Sequence, residues 1–435
     1  MLRQIIYDMR HHRMMTWISI AGTAVSIFLV MVFYMSDSVK TVSMAPELDR
    51  DRIWVGAYVD IQSTDPEEHS SSSGGLSYEA ARQLYGDLDG VEKISYVGAW
   101  SRVLDILIKG QPPVRATVFP VDGSYWDIYR FRFIEGHPFT DEECTDDSNL
   151  IVVSRSLAHR LFKSTEIVGR EVNIQGKRYM VCGVVDDVNP LMSNTGFEAF
   201  ISLSAEHRNS WNSNPKYQKL GSLKVLLKYA GDTDPEAVRS QVKARYATMN
   251  AQLAPEMVKA EYHGSPFDLD TQVSGKMSGN LTPDLSAQKR KRWFMYGLLI
   301  LLPAINLSSM TRGRLRHRVS ELGVRRAFGA KRVDIVKQLL GENLIVTVIG
   351  GCLGLLCSVL FMLFLSAQFF SYVDFWMASS MDMMMANPSL QMVFTWKTFL
   401  IALGACLLLN ILTATVPAWR SSLIPPAAAI SKSKI

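Results

Sequence analysis

The sequence lacks the short motifs that mark nucleotide-binding and hydrolytic enzymes. It contains no Gly-x4-Gly-Lys-Ser/Thr phosphate loop, no His-Glu-x-x-His, no Cys-x-x-Cys and no Gly-x-Ser-x-Gly. Without a phosphate loop, the chain is not expected to bind ATP by that route. The histidines are scattered, and the acidic run at residues 142–147 has no ordered spacing of oxygen ligands, so it is interpreted as a solvated loop. We therefore expect no catalytic residue, no metal site and no cofactor in this chain.

Cysteine is also scarce, with five in 435 residues. Cys352, Cys357 and Cys406 fall within apolar runs and are interpreted as small membrane-buried residues. Cys144 and Cys182 lie in the polar middle of the chain, and they could form one disulfide if that part lies outside the cytoplasm. Two cysteines without a framework pattern leave the pairing open.

Long apolar runs are absent between residues 37 and 290, whereas four other stretches are apolar enough to span a membrane. The first, residues 16–36, starts with twenty uncharged residues, which as a helix cover about 30 Å, the thickness of the hydrocarbon core. It is longer than the apolar region of a usual signal peptide and lacks a small-x-small cleavage site, so we expect a retained span. The other predicted spans are 293–310, 343–367 and 398–418.

The net charge of +5 conceals two regions of opposite charge. Residues 37–290 carry 28 Lys/Arg and 35 Asp/Glu, whereas residues 311–342 carry nine Lys/Arg and three Asp/Glu. Because Lys and Arg beside spans stay in the cytoplasm, residues 311–342 are expected to form a cytoplasmic loop and residues 37–290 to lie outside. The positive charge lies next to the spans, where it can meet anionic lipid headgroups, so it does not indicate nucleic-acid binding.

These patterns predict an α-helical membrane protein with four transmembrane helices and a large mixed α/β extracytoplasmic domain between the first two. The predicted segments are a cytoplasmic amphipathic helix (1–15), a first span (16–36), an extracytoplasmic domain (37–290), a second span (293–310), a basic cytoplasmic region (311–342), a third span (343–367), a short outer loop (368–396), a fourth span (398–418) and a cytoplasmic tail (419–435).

Within residues 37–290, short alternating stretches predict strands, and longer periodic ones predict helices. The pattern of residues 171–183 predicts a hairpin with its turn at Gln175-Gly176-Lys177, and that of residues 235–253 predicts a helix. Residues 65–75, rich in Ser and Gly, are expected to form a flexible loop.

The basic loop contains an ordered pattern, Glu-x-Gly-x-Arg-Arg-Ala-x-Gly-Ala, at residues 321–330. Apolar residues at helical spacing then predict a helix that begins near Lys331 and runs on into the third span. The pattern resembles the cytoplasmic signature of FtsX-like and MacB-like ABC transporter permeases of the mechanotransmission type (type VII). The simpler alternative is positive-inside charge alone. By resemblance, the positions that couple to the ATPase are Glu321, Gly323, Val324, Arg325, Arg326, Ala327, Gly329 and Ala330.

Five stretches of the polar middle carry the same resemblance. They match a VDxxY element, a Gly-x-x-Phe-Thr turn, a Val-Val-Ser-x-x-Leu-Ala strand and helix, a Gly-x-x-Ile/Val element and a strand ending in Val-x-Gly-Val-Val. In this chain they are residues 121–125, 136–140, 152–158, 169–172 and 181–185. The resemblance implies an outer domain of two lobes, the MacB-type periplasmic core, and we expect residues 94–194 to contribute most of one lobe.

The third span carries Gly350, Gly351 and Gly354, whose spacing lets helix backbones approach closely, within a subunit or across a dimer. The resemblance implies a homodimer or a pair with a paralogous permease in the bacterial inner membrane, with both termini cytoplasmic. It also implies two copies of a separate ATPase subunit, which binds the ATP and Mg that this chain lacks.

The resemblance further implies that ATP hydrolysis moves the outer domain and drives export of peptides, toxins or drugs from the periplasm, with a periplasmic adaptor and an outer-membrane channel as further partners. Alternatives of similar architecture are an FtsX-like regulator of an envelope enzyme and a lipoprotein-release permease. A sensor without an ATPase conflicts with the pattern at residues 321–330.

Overall fold

The structure is a computed structural model, and it divides the chain into two compact units. The helical unit comprises Met1–Asp37, Lys289–Leu365 and Val393–Ile435, and the outer domain comprises Ser38–Gln288 and Ser366–Met392. The described residues are 13–41, 43, 45–143, 149–188, 192, 194–203, 214–269, 271, 286, 289–291, 293–295, 297–298, 301, 328, 332–364, 400, 403–404 and 407–408.

The described residues form α-helices in both units and strands in the outer domain. The helices are α1 (Arg13–Thr41), α2 (Tyr78–Tyr85), α3 (Tyr125–Ile128), α4 (Arg155–Phe162), α5 (Pro235–Leu253) and α6 (Arg332–Phe364). The strands are β1 (Ile53–Gly56), β2 (Val59–Ser63), β3 (Ser71–Leu76), β4 (Val91–Gly98), β5 (Arg102–Leu107), β6 (Val114–Val121), β7 (Phe133–Gly136), β8 (Leu150–Ser154), β9 (Glu171–Ile174), β10 (Lys177–Val185), β11 (Ala199–Ser202), β12 (Leu220–Gly221), β13 (Leu223–Tyr229), β14 (Val258–Glu261) and β15 (Phe267–Asp268).

Two of the described helices, α1 and α6, are long and apolar enough to cross a membrane. Their apolar windows are Thr16–Phe33 and Leu344–Phe361. Helix α6 is unbroken over 33 residues from Arg332, as predicted for a helix that begins near Lys331 and continues into the third span. The predicted second and fourth spans, 293–310 and 398–418, lie mostly outside the described residues, so the number of four spans remains a prediction.

The strands of the outer domain form one continuous sheet in the order β11-β8-β10-β9-β5-β6-β4-β13-β3-β2-β14. Strand β6 also pairs in parallel with β11, with Phe119 opposite Phe200. This extra pairing closes six strands, β5, β6, β8, β9, β10 and β11, into a small barrel, and the remaining strands continue as an open sheet. Closure removes two free edges that would otherwise expose unpaired N–H and C=O groups.

Three apolar clusters fill the domain. The first packs α2 and α5 against the open sheet, with Leu84, Leu227 and Val242 fully buried. The second surrounds α3 and is rich in aromatic rings, including Tyr125 and Phe200. The third fills the barrel and includes side chains of α4.

The predicted hairpin is confirmed, with β9 paired to β10 and Ile174 opposite Lys177. Its turn residues Gln175 and Gly176 have φ of 51° and 83°. Two consecutive positive φ values are typical of a type I′ turn, whose twist matches that of the flanking strands. The predicted helix at residues 235–253 is α5, and Asp234 caps it by accepting a hydrogen bond from the Glu236 N–H.

The prediction of a flexible loop at residues 65–75 is wrong in its second half, because Ser71–Leu76 is strand β3. Strand β3 pairs with β2 on one side and with β12 and β13 on the other. At Gly75 a Cβ atom would lie 2.8 Å from the carbonyl oxygens of both Gly221 and Leu223. The glycine is therefore required by close backbone approach inside the sheet, which local sequence alone does not distinguish from loop flexibility.

Candidate functional site

The predicted coupling segment, residues 321–330, lies outside the described residues except for Phe328, which is 89 % exposed. The residues in question are Glu321, Gly323, Val324, Arg325, Arg326, Ala327, Gly329 and Ala330. Their role in binding an ATPase therefore stays a prediction. Helix α6 begins at Arg332, two residues after this segment ends.

The three glycines of α6 lie at a close helix contact. A Cβ on Gly350 would lie 2.8 Å from Cβ of Thr23, and one on Gly354 would lie 2.5 Å from the carbonyl oxygen of Ala24. A Cβ on Gly351 would lie 2.8 Å from Cδ1 of Leu403 and 3.3 Å from Cδ1 of Ile27. Gly350 and Gly354 thus let α6 approach α1 of the same chain, and we call these two helices the helix pair.

Small polar residues line the helix pair. Thr16, Ser19, Thr23 and Ser26 on α1 and Thr347 and Ser358 on α6 are all buried. The Thr23 hydroxyl donates to the Ser19 carbonyl at 2.8 Å, and the Ser358 hydroxyl donates to the Leu355 carbonyl at 2.7 Å. Because these hydroxyls donate to carbonyls of their own helix, they leave no unpaired donor at the contact. Their side chains are also small, so the two helices can approach closely.

After α1, residues 45–52 are the first segment of the outer domain that binds to its strands, and we call this segment the joint. The Pro46 carbonyl accepts from the Arg130 N–H at 3.0 Å. Asp49 pairs with Lys228 at 2.9 Å and with Arg130 at 3.3 Å. The Lys228 ammonium, which donates to Asp49, is the main reason that the pKa of that carboxyl is lowered. The joint is thus held through both backbone and charge.

Arg52, the last residue of the joint, adds contacts to two strands. Its Nε and Nη2 donate to the Tyr229 carbonyl at 2.9 and 2.6 Å, and Nη2 also donates to Glu92 at 2.6 Å. The two-pronged guanidinium contact fixes orientation as well as position, which a lysine would not reproduce.

The centre of the joint is a buried ion pair. Glu47 is fully buried, Arg50 is 4 % exposed, and Nη1 of Arg50 donates to Oε2 of Glu47. Thr195 donates to the other carboxylate oxygen of Glu47 at 3.0 Å. Burial raises the pKa of Glu47, an effect that Arg50 and Thr195 partly offset. Nε and Nη2 of Arg50 have no hydrogen-bond partner in the described part of the chain.

Lys224 of β13 is a second buried cation near this pair. Its Nζ donates to Oδ1 of Asn194 at 2.8 Å and lies 5.1 Å from the ring centroid of Phe119. Burial lowers the pKa of Lys224 to about 8, against the attraction of Glu47. Asn194 and Thr195 thus connect the joint to β13.

The VDxxY element at residues 121–125 lies next to this polar cluster. Oδ1 of Asp122 accepts from the Ser95 hydroxyl at 2.6 Å and from the Tyr125 N–H at 3.0 Å, and Oδ2 accepts from the Tyr96 N–H at 2.6 Å. The Tyr125 hydroxyl donates to the Asn194 carbonyl at 2.8 Å. Burial raises the pKa of Asp122 to about 7 despite these donors. The element therefore links β4, α3 and the segment that holds Glu47.

The Gly-x-x-Phe-Thr turn contacts the same element. Asp141, directly after that turn, accepts from the Gly123 N–H at 2.7 Å and from the Ser124 hydroxyl at 3.0 Å. A Cβ on Gly123 would lie 2.3 Å from the Asp141 nitrogen, so a larger residue does not fit there. Two stretches that carry the family resemblance are thus in direct contact.

Cys182 is a buried free thiol on β10. Its Sγ donates to the Ile151 carbonyl at 3.5 Å, and burial raises its pKa to about 12. Cys144 lies outside the described residues, so the proposed pairing of Cys144 with Cys182 stays a prediction.

The sequence reasoning missed the joint. Its signal was the alternation of opposite charges at residues 49–52, in the segment that follows the first apolar run. Such alternation is common on solvated surfaces, and only the tertiary contacts distinguish a buried pair from an exposed one. Among the residues that the structure describes, no group of His, Cys, Asp and Glu is placed to hold a metal ion.

Two family profiles match the chain. The profile of the MacB-like periplasmic core domain matches residues 16–245, about half of the chain, and that of the FtsX-like permease C-terminal region matches residues 293–426. The second match includes the predicted coupling segment and α6.

Curated relatives of the chain include proteins named as MacB or as ABC transporter permeases. The chain is 21 % identical over 240 residues to the uncharacterized ABC transporter permease YknZ of Bacillus subtilis, covering 55 % of each chain. It is 24 % identical over 319 residues to the macrolide export ATP-binding/permease protein MacB of Pasteurella multocida, covering 73 % of this chain and 43 % of the relative. The chain thus spans about half the length of the curated relatives it matches.

Solved outer domains of such proteins are also similar. The periplasmic region of MacB from Actinobacillus actinomycetemcomitans aligns at 12 % identity with a TM-score of 0.32, covering 50 % of this chain and 90 % of that structure. The extracellular domain of YknZ aligns at 15 % identity with a TM-score of 0.31, covering 47 % and 100 %. With profiles matching both the outer domain and the permease region, the chain belongs to the MacB-like and FtsX-like family of ABC transporter permeases, membrane proteins with a periplasmic or extracellular domain.

Proposed function

We propose that this chain is the permease subunit of an ABC transporter that converts ATP hydrolysis by a separate ATPase into motion of its outer domain. The observation that carries the proposal is the series of stiff elements that begins next to the coupling segment. A 33-residue helix, α6, starts two residues after that segment and includes an apolar window long enough to span a membrane.

The first step of the proposed transmission is along α6. The twelve residues from Arg332 to the start of the apolar window extend the helix by about 18 Å at 1.5 Å per residue. Hydrogen bonds within a helix hold its length, so a push on the coupling segment moves the whole of α6. Between Arg332 and the apolar window the helix is continuous, so the proposed motion is not lost along this part of the chain.

The second step is from α6 to α1. At Gly350 and Gly354 the two backbones are so close that a single added carbon would collide with α1. Packed interfaces of this kind have discrete arrangements rather than a continuous range, so they move as a unit or repack. We infer that α1 follows α6.

The third step is from α1 into the outer domain. The joint begins four residues after α1 ends at Thr41, and it is bound to β13 by the Asp49–Lys228 ion pair and by the hydrogen bonds from Arg52 to the Tyr229 carbonyl. Within the outer domain, these contacts resist displacement of the joint relative to β13.

The proposed consequence is export from the periplasm of peptides, toxins or drugs, with substrate acted on by the outer domain. The macrolide export named for the Pasteurella relative supports this class of activity. The proposed assembly has two copies of this chain, or this chain and a paralogue, and two ATPase subunits that bind ATP and Mg. A periplasmic adaptor and an outer-membrane channel complete the proposed pump.

The proposal is tested by purifying the tagged chain from its native membranes in mild detergent and identifying bound proteins by mass spectrometry. We expect an ATPase with a phosphate loop to accompany the wild-type chain. The triple variant Glu321→Ala/Arg325→Ala/Arg326→Ala should insert normally and lose that ATPase, because the docking side chains are gone.

A second variant separates docking from transmission. Gly354→Val should retain the ATPase, since it leaves the coupling segment intact, but should lose the stimulation of ATP hydrolysis by the permease. Gly404→Val is the matched control, because among the described residues, apart from the neighbours of Gly404 in its own segment, no atom lies within 4 Å of a Cβ added there. Unchanged recovery of the ATPase with the triple variant would contradict the docking role. Co-purification with an envelope hydrolase or with lipoproteins, and no adaptor, would replace export by the regulatory or lipoprotein-release alternative.

A further inference from the structure

The buried arginine of the joint has one edge of its guanidinium group unpaired. Nη1 of Arg50 donates to Glu47, whereas Nε and Nη2 have no hydrogen-bond partner in the part of the chain that the structure describes. Nε–H and Nη2–H point in the same direction from the planar group, so they form a fork that can bind one acceptor with two hydrogen bonds. Only 4 % of Arg50 is exposed, so bulk water does not satisfy this fork.

The chemistry of the fork decides what kind of partner it takes. A buried donor that lacks an acceptor destabilises the folded chain, and the penalty is larger when the donor is charged. The N–H groups of arginine only donate and stay protonated, so the partner has to be an acceptor. Hydrogen bonds from a charged donor to an anion are roughly twice as strong as those between neutral groups. The fork therefore favours an anion over a water molecule.

The buried charges around the fork favour the same kind of partner. Burial raises the pKa of Glu47 and lowers that of Lys224 to about 8, and each of these side chains acts against this effect on the other. Lys224 is therefore close to Glu47 and mostly charged at neutral pH. The single carboxylate of Glu47 is thus shared by two buried cations, Arg50 and Lys224, and a monovalent anion at the fork supplies a second negative charge.

Another buried group without a partner lies beside the joint. The Tyr129 hydroxyl is fully buried and has no hydrogen-bond partner among the described residues. Its chain neighbour Arg130 donates its N–H to the Pro46 carbonyl at 3.0 Å, which brings this part of the chain next to the joint. Burial raises the pKa of Tyr129 well above its ordinary value, so the hydroxyl keeps its proton and remains a donor. Unpaired donors from two segments therefore occur in the same buried region.

We propose that the joint contains an internal binding site for a small monovalent anion such as chloride. The anion accepts hydrogen bonds from Nε and Nη2 of Arg50 and is attracted by the nearby charge of Lys224. Its binding completes the hydrogen bonding of Arg50 and so stabilises the joint. Because Arg50 is enclosed, a bulky anion is excluded from the fork. The proposal does not depend on the proposed transport function.

The first test is the thermal unfolding of the full chain in lipid nanodiscs, with chloride or gluconate at equal ionic strength. Gluconate is a bulky monovalent anion and serves as the reference. Chloride should raise the melting temperature along a saturable curve, by roughly 3–6 °C at about ten times its dissociation constant. Equal melting temperatures in the two salts would show a nonspecific effect of salt and would contradict the proposal.

The variant Arg50→Lys tests the assignment to the fork. Lysine keeps the positive charge next to Glu47, but its ammonium group has no planar fork. The variant should lose most of the chloride-dependent rise in melting temperature. Arg132→Lys is the matched control, because Arg132 is 83 % exposed and pairs with Asp186 at 3.9 Å, and it should keep the full rise. If Arg50→Lys responds to chloride as the wild-type chain does, the proposal is wrong.

A second measurement needs no variant, so it holds even if Arg50→Lys does not fold. Crystals of the wild-type full chain grown with bromide in place of chloride give an anomalous signal, which distinguishes a halide from water. We expect a bromide peak at the Nε–Nη2 edge of Arg50. Density at that edge without anomalous signal would identify a water molecule, and bromide found only on exposed residues would be an adventitious ion only. Either result overturns the proposal.

Discussion

The helix pair and the buried charges of the outer domain are stabilised by opposite means. Between α1 and α6, Gly350 and Gly354 have no side-chain carbon at the contact, and the nearby Thr23 and Ser358 hydroxyls donate hydrogen bonds to carbonyls of their own helices. In the outer domain, Glu47, Arg50 and Lys224 are almost fully buried and depend on polar partners, which for Glu47 and Lys224 include Thr195 and Asn194, 148 and 30 positions away in sequence.

The difference follows from the surroundings of each region. Lipid tails are as apolar as leucine, so helices in a membrane associate through close packing rather than through burial of apolar surface. A folded domain in water can bury a charge only if its partners remain in place. The helix pair should therefore be sensitive to added volume and the buried charges to loss of a partner.

The largest effect is expected when the buried ion pair of the joint is broken. Glu47→Gln keeps the shape but leaves Arg50 without its counter-charge, at an expected cost of about 3–5 kcal/mol of unfolding free energy. The measurement is chemical unfolding of the purified chain followed by tryptophan fluorescence. Asp127→Asn is the control, because Asp127 pairs with Lys93 at an exposed site, where loss of an ion pair costs about 0–1 kcal/mol. Equal effects of the two variants would refute the distinction.

A smaller effect, roughly 2–4 kcal/mol, is expected from the titration of Asp122. The pKa of this carboxyl is about 7 in the folded chain against 3.8 for the free group, so the folded state binds the proton more tightly. The contribution of Asp122 to the free energy of unfolding should therefore be greatest below pH 4, and it should fall as the pH rises to about 7. Asp122→Asn should remove this part of the slope in unfolding experiments across that range. A variant with the wild-type slope would assign the titration to another group.

The smallest of the three effects is expected in the helix pair. Gly354→Val should destabilise the chain by about 1–3 kcal/mol, the usual cost of overpacking, because its Cβ meets the Ala24 carbonyl at 2.5 Å. Gly404→Val adds the same side chain at a position where no described residue, apart from the neighbours of Gly404 in its own segment, lies within 4 Å of the added Cβ, and it should be close to neutral. Thermal unfolding of both variants in nanodiscs gives the comparison. If Gly404→Val is the more harmful of the two, close packing of α1 and α6 is not what holds them.

Much of the local structure could be predicted because it depends on neighbours in sequence. The β9–β10 hairpin follows from Gln175-Gly176, and α5 follows from the Asp234 cap and Pro235. The unbroken α6 follows from apolar residues at helical spacing. In each case the residues that decide the conformation lie within a few positions of one another.

Features that depend on distant parts of the chain could not be predicted. The Ser- and Gly-rich sequence of β3 predicts a loop, since glycine disfavours strands, yet Gly75 is needed where the backbones of Gly221 and Leu223 come close. Barrel closure rests on Phe119 pairing with Phe200, and the joint rests on Glu47 contacting Thr195, 148 positions away. No local pattern encodes these contacts.

By itself, the amino-acid sequence determined the family and the apolar stretches and predicted a coupling segment at residues 321–330, because composition and short motifs are local properties. The tertiary structure alone decided that Gly350 and Gly354 face α1 of the same chain, that Glu47 and Arg50 are buried, and that β6 pairs with β11 to close the barrel. The physical reason is that close approach, burial and register are properties of pairs of segments, and each member of a pair is compatible with several partners until the chain folds.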